Sequence, residues 1–139
     1  MTNKSSKKNR SLIITYAAIL CLISVVVGAF AAHALSAILS QEKLESIKTA
    51  SRYSLIHGTF IIALGSIHWL SESSYKKIAW ICLIGTTLFS FSIYTLVYLK
   101  YHSIETSIFI PLITPFGGSL IIISWGLLAY QSIKKYVKD

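Results

Sequence analysis

Charge is scarce in this chain, and carboxylate is the scarcest charge of all. Of 139 residues, five are Asp or Glu and thirteen are Lys or Arg. Charged residues make up 13% of the sequence and hydrophobic ones 54%. A soluble domain carries roughly 25% charged residues, so there is too little polar surface here to cover a water-soluble globule. A bilayer removes that difficulty, because lipid accepts an apolar exterior. Glu42, Glu45, Glu72 and Glu105 all fall between the long apolar runs, which excludes a carboxylate proton relay inside a membrane.

Other absences narrow the chemistry. The two cysteines, Cys21 and Cys82, each sit inside an apolar run without CxxC or Cys/His spacing, so neither a disulfide framework nor a zinc site is expected. There is no nucleophile elbow, P-loop, dinucleotide glycine motif or HExxH. An enzyme is not expected, and no cofactor is implied. His33 and His57 are conceivable haem or metal ligands, but two histidines without thiolate or carboxylate partners make no site. The formal charge is +8, yet the cations are not interleaved with aromatics as a nucleic-acid surface would require. They stand in clusters between apolar runs: "KSSKKNR", "YKK" and "KKYVKD".

Four runs, at about 12–35, 53–70, 78–99 and 108–130, are long enough to cross a bilayer, which takes roughly 17–25 residues. The expected fold is all-α: a single domain over residues 1–139, folded as an integral membrane four-helix bundle. Ala32-His33-Ala34 resembles a signal-peptidase site, but the run before it exceeds the usual h-region of about 7–15 residues, so the first run is expected to remain as a span. Lys4, Lys7, Lys8, Arg10, Lys76, Lys77, Lys134, Lys135 and Lys138 would share one side, nine cations in all. Lys43, Lys48, Arg52 and Lys100 would share the other, four cations. The positive-inside bias then puts both termini in the cytoplasm. In the long first connection, Ile38, Leu39, Leu44, Ile47 and Ala50 recur at helical spacing, which predicts a short interfacial helix between spans 1 and 2. Tyr53, Trp69, Trp80, Tyr98, Tyr101 and Tyr130 cluster near run ends, as interfacial anchors do.

Lipid tails are as apolar as Leu, so close backbone approach and hydrogen bonds must pair the helices. Ser24, Gly28 and Ala32 recur every fourth residue, with Cys21 and Ala31 beside them. Gly85, Thr86 and Ser90 offer the third run a similar face, and Gly118 and Gly126 the fourth. Within the runs, His33, Tyr53, His57, Ser90, Ser92, Tyr94 and Thr114 do not belong in lipid. The topology brings them to one layer in the outer third of the bundle. The stretch "ITPFGGS" falls at the same depth. Pro115 withholds an N–H from the carbonyl of Pro111 and should kink the helix; Gly117 and Gly118 let a neighbour close on that turn. This layer is either an interhelical hydrogen-bond network or the lining of a small cavity for an ion, proton or polar solute.

The segments "GAFAAHAL" (28–35), "TASRYSLIHG" (49–58), "LFSFSIY" (88–94) and "ITPFGGSLIIISW" (113–125) together resemble the YgdD/YwdK family of small bacterial membrane proteins, domain of unknown function 423. The resemblance covers all four runs. It implies four transmembrane helices in the plasma membrane, and no established activity. Gly28, His33, Tyr53, His57, Ser90, Tyr94, Thr114, Pro115, Gly117 and Gly118 match its motifs. Ala31 and Phe91 stand where the family has Gly, and are expected to fill space near the polar layer. The expected function is a non-enzymatic scaffold or accessory component, working with the lipid bilayer and a membrane-protein partner or further copies of itself. The alternative is a permease-like protein using the polar layer.

Overall fold

The computed structural model describes residues 4–138, with side chains from Lys8 onward; the single domain expected over 1–139 thus reaches past the described residues at both ends. Four helices follow one another: α1 (Lys4–Ala32), α2 (Gln41–Leu64), α3 (Glu72–Tyr101) and α4 (Phe109–Tyr136). They alternate in direction. Residues 24 and 51, 54 and 90, and 92 and 114 meet in antiparallel register. One end of the bundle holds Arg10, the 65–71 connection and the tail of α4. The other, the loop end, holds the connections 33–40 and 102–108. α2 packs on α1 and α3, and α4 packs on α3.

Three stretches are long and apolar enough to cross a membrane: Lys8–Ala37, Glu72–Tyr101 and Phe109–Tyr136. α2 is the exception, because Glu42, Lys43, Glu45, Lys48 and Arg52 load its first half with charge. The separate interfacial helix expected before a second span at 53–70 is not what forms. Residues 41–64 make one unbroken helix. No Gly or Pro occurs between Gln41 and His57, so nothing in the backbone stops the amphipathic turn from running on into the apolar one. Leu44, Ile47 and Ala50 are buried as the periodicity requires, whereas Ile38 is exposed in the connection.

The helix ends have physical causes. α2 stops at Leu64 by tightening: Gly65, Ser66 and Ile67 donate to carbonyls three residues back, a 3₁₀ pattern that satisfies orphan acceptors. Arg10 then donates to the Gly65 carbonyl, placing a cation at the negative end of the helix dipole. The same guanidinium lies 4.7 Å above the Tyr75 ring and 3.7 Å from Glu72. α3 begins with Ser71 as N-cap, its hydroxyl accepting from the Ser74 N–H. It ends in a Schellman turn: Ser103 has φ 55° and the Ile104 N–H bonds the Leu99 carbonyl.

Two apolar cores result. Ile13, Ala17, Ile61, Leu64, Tyr75, Ile78 and Cys82 fill the terminal end. Ala31, Leu44, Ile47 and Val97 fill the loop end. Between them lies a belt of buried hydroxyls.

Candidate functional site

The belt is built from serines. Ser24 of α1 donates to the Ser51 carbonyl of α2, and Ser51 returns a bond of 2.8 Å to the Ser24 carbonyl. Ser54 donates to Ser90 of α3 at 2.8 Å, and Ser90 passes a bond of 3.0 Å to the Ala50 carbonyl. Ser92 of α3 meets Thr114 of α4 at 2.7 Å. Ser24, Ser51, Ser54, Ser90 and Ser92 are all buried. Each adjacent helix pair along the chain is thus linked by hydroxyls, each bond contributing about 0.6 kcal/mol in a membrane setting.

Close backbone approaches flank the belt. A Cβ on Gly117 would stand 2.5 Å from the Phe89 nitrogen and 2.7 Å from the Gly85 oxygen. A Cβ on Gly58 would stand 2.5 Å from the Cys21 sulfur and 2.9 Å from the Ala17 oxygen. Both are crossings that only glycine permits.

The expected layer is therefore present in part and differently composed. Ser90, Ser92 and Thr114 are in it. His57 is buried, but its Nδ1 bonds the Tyr53 carbonyl of its own helix at 2.8 Å. A carbonyl only accepts, so Nδ1 carries the proton and Nε2 is left as an acceptor. Tyr53 is half-exposed and stacks on Phe89 at 4.7 Å. The Tyr94 hydroxyl is buried toward Ser54 without a hydrogen bond of normal geometry. His33 is outside the layer: α1 ends at Ala32, and His33 is exposed in the following turn, its carbonyl taken by Ser36. The belt is staggered along the bundle: Ser90 precedes the end of α3 by about 16 Å, while Thr114 follows the start of α4 by about 8 Å, at ~1.5 Å per residue.

The expected packing residues divide likewise. Gly28 faces Ser51, and a Cβ there would stand only 3.2 Å from the Ser51 hydroxyl oxygen, a tight contact. Ala31, not Ala32, is buried. Pro115 sits inside α4, which runs on without interruption, and Pro115 itself is exposed. Pro111 and Pro115 both fall in its first two turns, where few backbone bonds are forfeited. Of the glycine pair, Gly117 makes the crossing. Gly118 would meet the Phe89 ring at an ordinary 3.8 Å, and Gly126 faces open space. Phe91 points outward and fills nothing in the belt. Among the described residues no cluster of His, Cys, Asp and Glu could hold a metal ion.

Sequence reasoning passed over Ser51 and Ser54 because their meaning depends on which face α2 turns inward. Gly58 carried a signal that was available: it is the one glycine between Tyr53 and Leu64.

Two surface depressions border the belt. A groove of about 530 Å³ runs between α2 and α4, lined by Tyr53, Ile56, His57, Phe89, Gly118 and Trp125 among others; Phe60 stacks on Trp125 at 4.1 Å beside it. A smaller pocket of about 260 Å³ opens at the loop end between Glu42, Lys43, Lys100 and Thr114.

Residues 27–118 match a family described as "Protein of unknown function (DUF423)". The chain is 38% identical over 130 residues to a UPF0382 membrane protein of Haemophilus influenzae, covering 91% of this chain and 96% of that one. It is 31% identical to the UPF0382 membrane protein YwdK of Bacillus subtilis, over 84% of this chain and 92% of the other. The UPF0382 membrane protein SSP2132 of Staphylococcus saprophyticus is 31% identical over 81% of this chain and 89% of its own length. No solved structure gives a significant match.

Proposed function

The chain belongs to the DUF423 family of multi-pass bacterial membrane proteins, and we propose that it is a non-enzymatic scaffold or accessory component of the plasma membrane. In this reading α2 is a fourth span and both termini are cytoplasmic. The Lys and Arg count of nine against four supports that orientation. α2 also lies antiparallel between two helices apolar enough to cross.

The observation that carries the reading is the closure of the hydroxyl belt. Ser24, Ser51, Ser54 and Ser90 are each engaged with a neighbouring helix. A permeating ion or polar solute needs unengaged ligands at mid-depth. The permease-like alternative draws support from the pocket at Thr114, but the Thr114 hydroxyl in that pocket is already engaged by Ser92. A closed, cross-linked bundle suits a protein that presents its outer faces to a membrane partner.

The test is recovery from native membranes with quantified stoichiometry, followed by reconstitution in liposomes. A second membrane protein at a fixed ratio, or a defined homo-oligomer, is the expected result. Recovery as a lone chain that catalyses saturable solute uptake would contradict it.

A further inference from the structure

α2 poses an electrostatic problem that the rest of the chain does not solve. Its uncharged stretch, Tyr53–Leu64, spans about 18 Å at ~1.5 Å per residue, well short of the roughly 30 Å hydrocarbon core. Arg52 is therefore drawn below the bilayer surface, on the face of α2 that the bundle leaves exposed. An arginine at such depth is costly unless its head reaches the interface or finds a partner, and an anion at the interface meets both needs. Among the described residues no carboxylate forms a direct ion pair with it; Glu45 feels its charge only at a distance. Glu45, two turns away, is bound by Lys48 at 2.9 Å, and Glu72 is at the opposite end with Arg10 and Lys76.

What lies beneath Arg52 is apolar and open. Ile56, one turn further along the same face, lines the groove between α2 and α4. The groove is about 530 Å³ and descends from Tyr53 to Trp125. Gly118 keeps it open, since a side chain there would enter it beside the Phe89 ring.

We propose that this face is a binding site for an anionic phospholipid of the leaflet at the loop end, with its phosphate on the Arg52 guanidinium and an acyl chain in the groove between Tyr53 and Trp125. A guanidinium offers a planar fork of donors that matches phosphate. The side chain can snorkel toward the headgroups while its stem covers apolar surface. The phosphate supplies a negative charge in direct contact with the guanidinium, and the tail covers the aromatic walls. The inference rests on α2 crossing the bilayer, which the proposed function also requires.

The experiment is native mass spectrometry of the detergent-purified chain titrated with phosphatidylglycerol and, separately, phosphatidylcholine. Phosphatidylglycerol should be retained preferentially. Arg52→Gln should weaken its retention about tenfold, the scale of one charge-assisted hydrogen bond, while Lys43→Gln leaves it unchanged. Gly118→Leu keeps the charge, fills the groove and should also weaken retention; because Gly118 makes no backbone crossing, this variant is expected to fold. Equal retention of both lipids, or phosphatidylglycerol binding unchanged in both Arg52→Gln and Gly118→Leu, would overturn the proposal. Labelling of Arg52→Cys in intact membranes by a water-borne thiol reagent, as fast as an exposed loop position, would instead show that α2 does not lie in the bilayer at this depth.

Discussion

The Gly117 backbone packs directly on that of Gly85, leaving 2.7 Å between a Cβ placed on Gly117 and the Gly85 carbonyl oxygen. This contact sets α4 against α3 and brings Thr114, one turn away, to Ser92. Gly117→Ala should therefore lower the thermal midpoint in detergent, by an overpacking cost of about 1–3 kcal/mol. Gly118→Ala should leave it within about 0.5 kcal/mol. Equal effects at the two glycines would mean that the helices cross elsewhere.

Ser90 both accepts from Ser54 and donates to the Ala50 carbonyl. Ser90→Ala should cost more stability than Ser54→Ala. A double-mutant cycle between them should give a coupling of about 0.6 kcal/mol, and at most ~1.7. A coupling of zero would remove Ser54–Ser90 from the network.

Arg10 ties the end of α2 to the start of α3 through Gly65, Tyr75 and Glu72. Arg10→Gln should destabilise by about 1–2 kcal/mol, because a charge-assisted bond and a cation–π contact go together. Arg10→Lys should recover only part of this, since an ammonium cannot reproduce the planar fork. Full recovery would reduce the role of Arg10 to its charge.

Ser103 holds a left-handed conformation, φ 55°, at the end of α3. Glycine adopts that region without strain, so Ser103→Gly should raise the midpoint, by about 1 kcal/mol. A lowered midpoint would show that the serine side chain compensates the strain.

The three helices apolar enough to cross a membrane are legible in the sequence because apolar runs and charge clusters are local properties. Two differences between sequence pattern and structure have a common origin in what is not local. The change in polarity at Tyr53 suggests a boundary there, yet the backbone from Gln41 to Leu64 has no reason to break. His33 falls inside the first apolar run, but the helix ends at Ala32, and the turn that follows leaves the histidine exposed. The hydroxyl belt is the harder case. Ser24, Ser51, Ser54 and Ser90 are ordinary residues in isolation. They become a network only when rotation and register between three helices are fixed, and Gly58 and Gly117 help to fix them.

Orientation can be read with single cysteines in a background lacking Cys21 and Cys82. Ser103→Cys should react with a membrane-impermeant reagent applied outside intact cells, and Lys138→Cys should not. Both positions are exposed, so the reverse pattern would invert the topology.

The claim that the hydroxyl belt is a closed lock, not a passage, is tested most directly by the aqueous accessibility of Ser90. In the same cysteine-free background, Ser90→Cys is treated in native membranes with a small cationic thiol reagent, alongside Ser103→Cys as the accessible reference. Ser90 is 1% exposed and bonded on both sides, so the account predicts no modification while the protein is folded. Modification at a rate comparable to Ser103→Cys would reveal a water-filled path to mid-depth and contradict the lock.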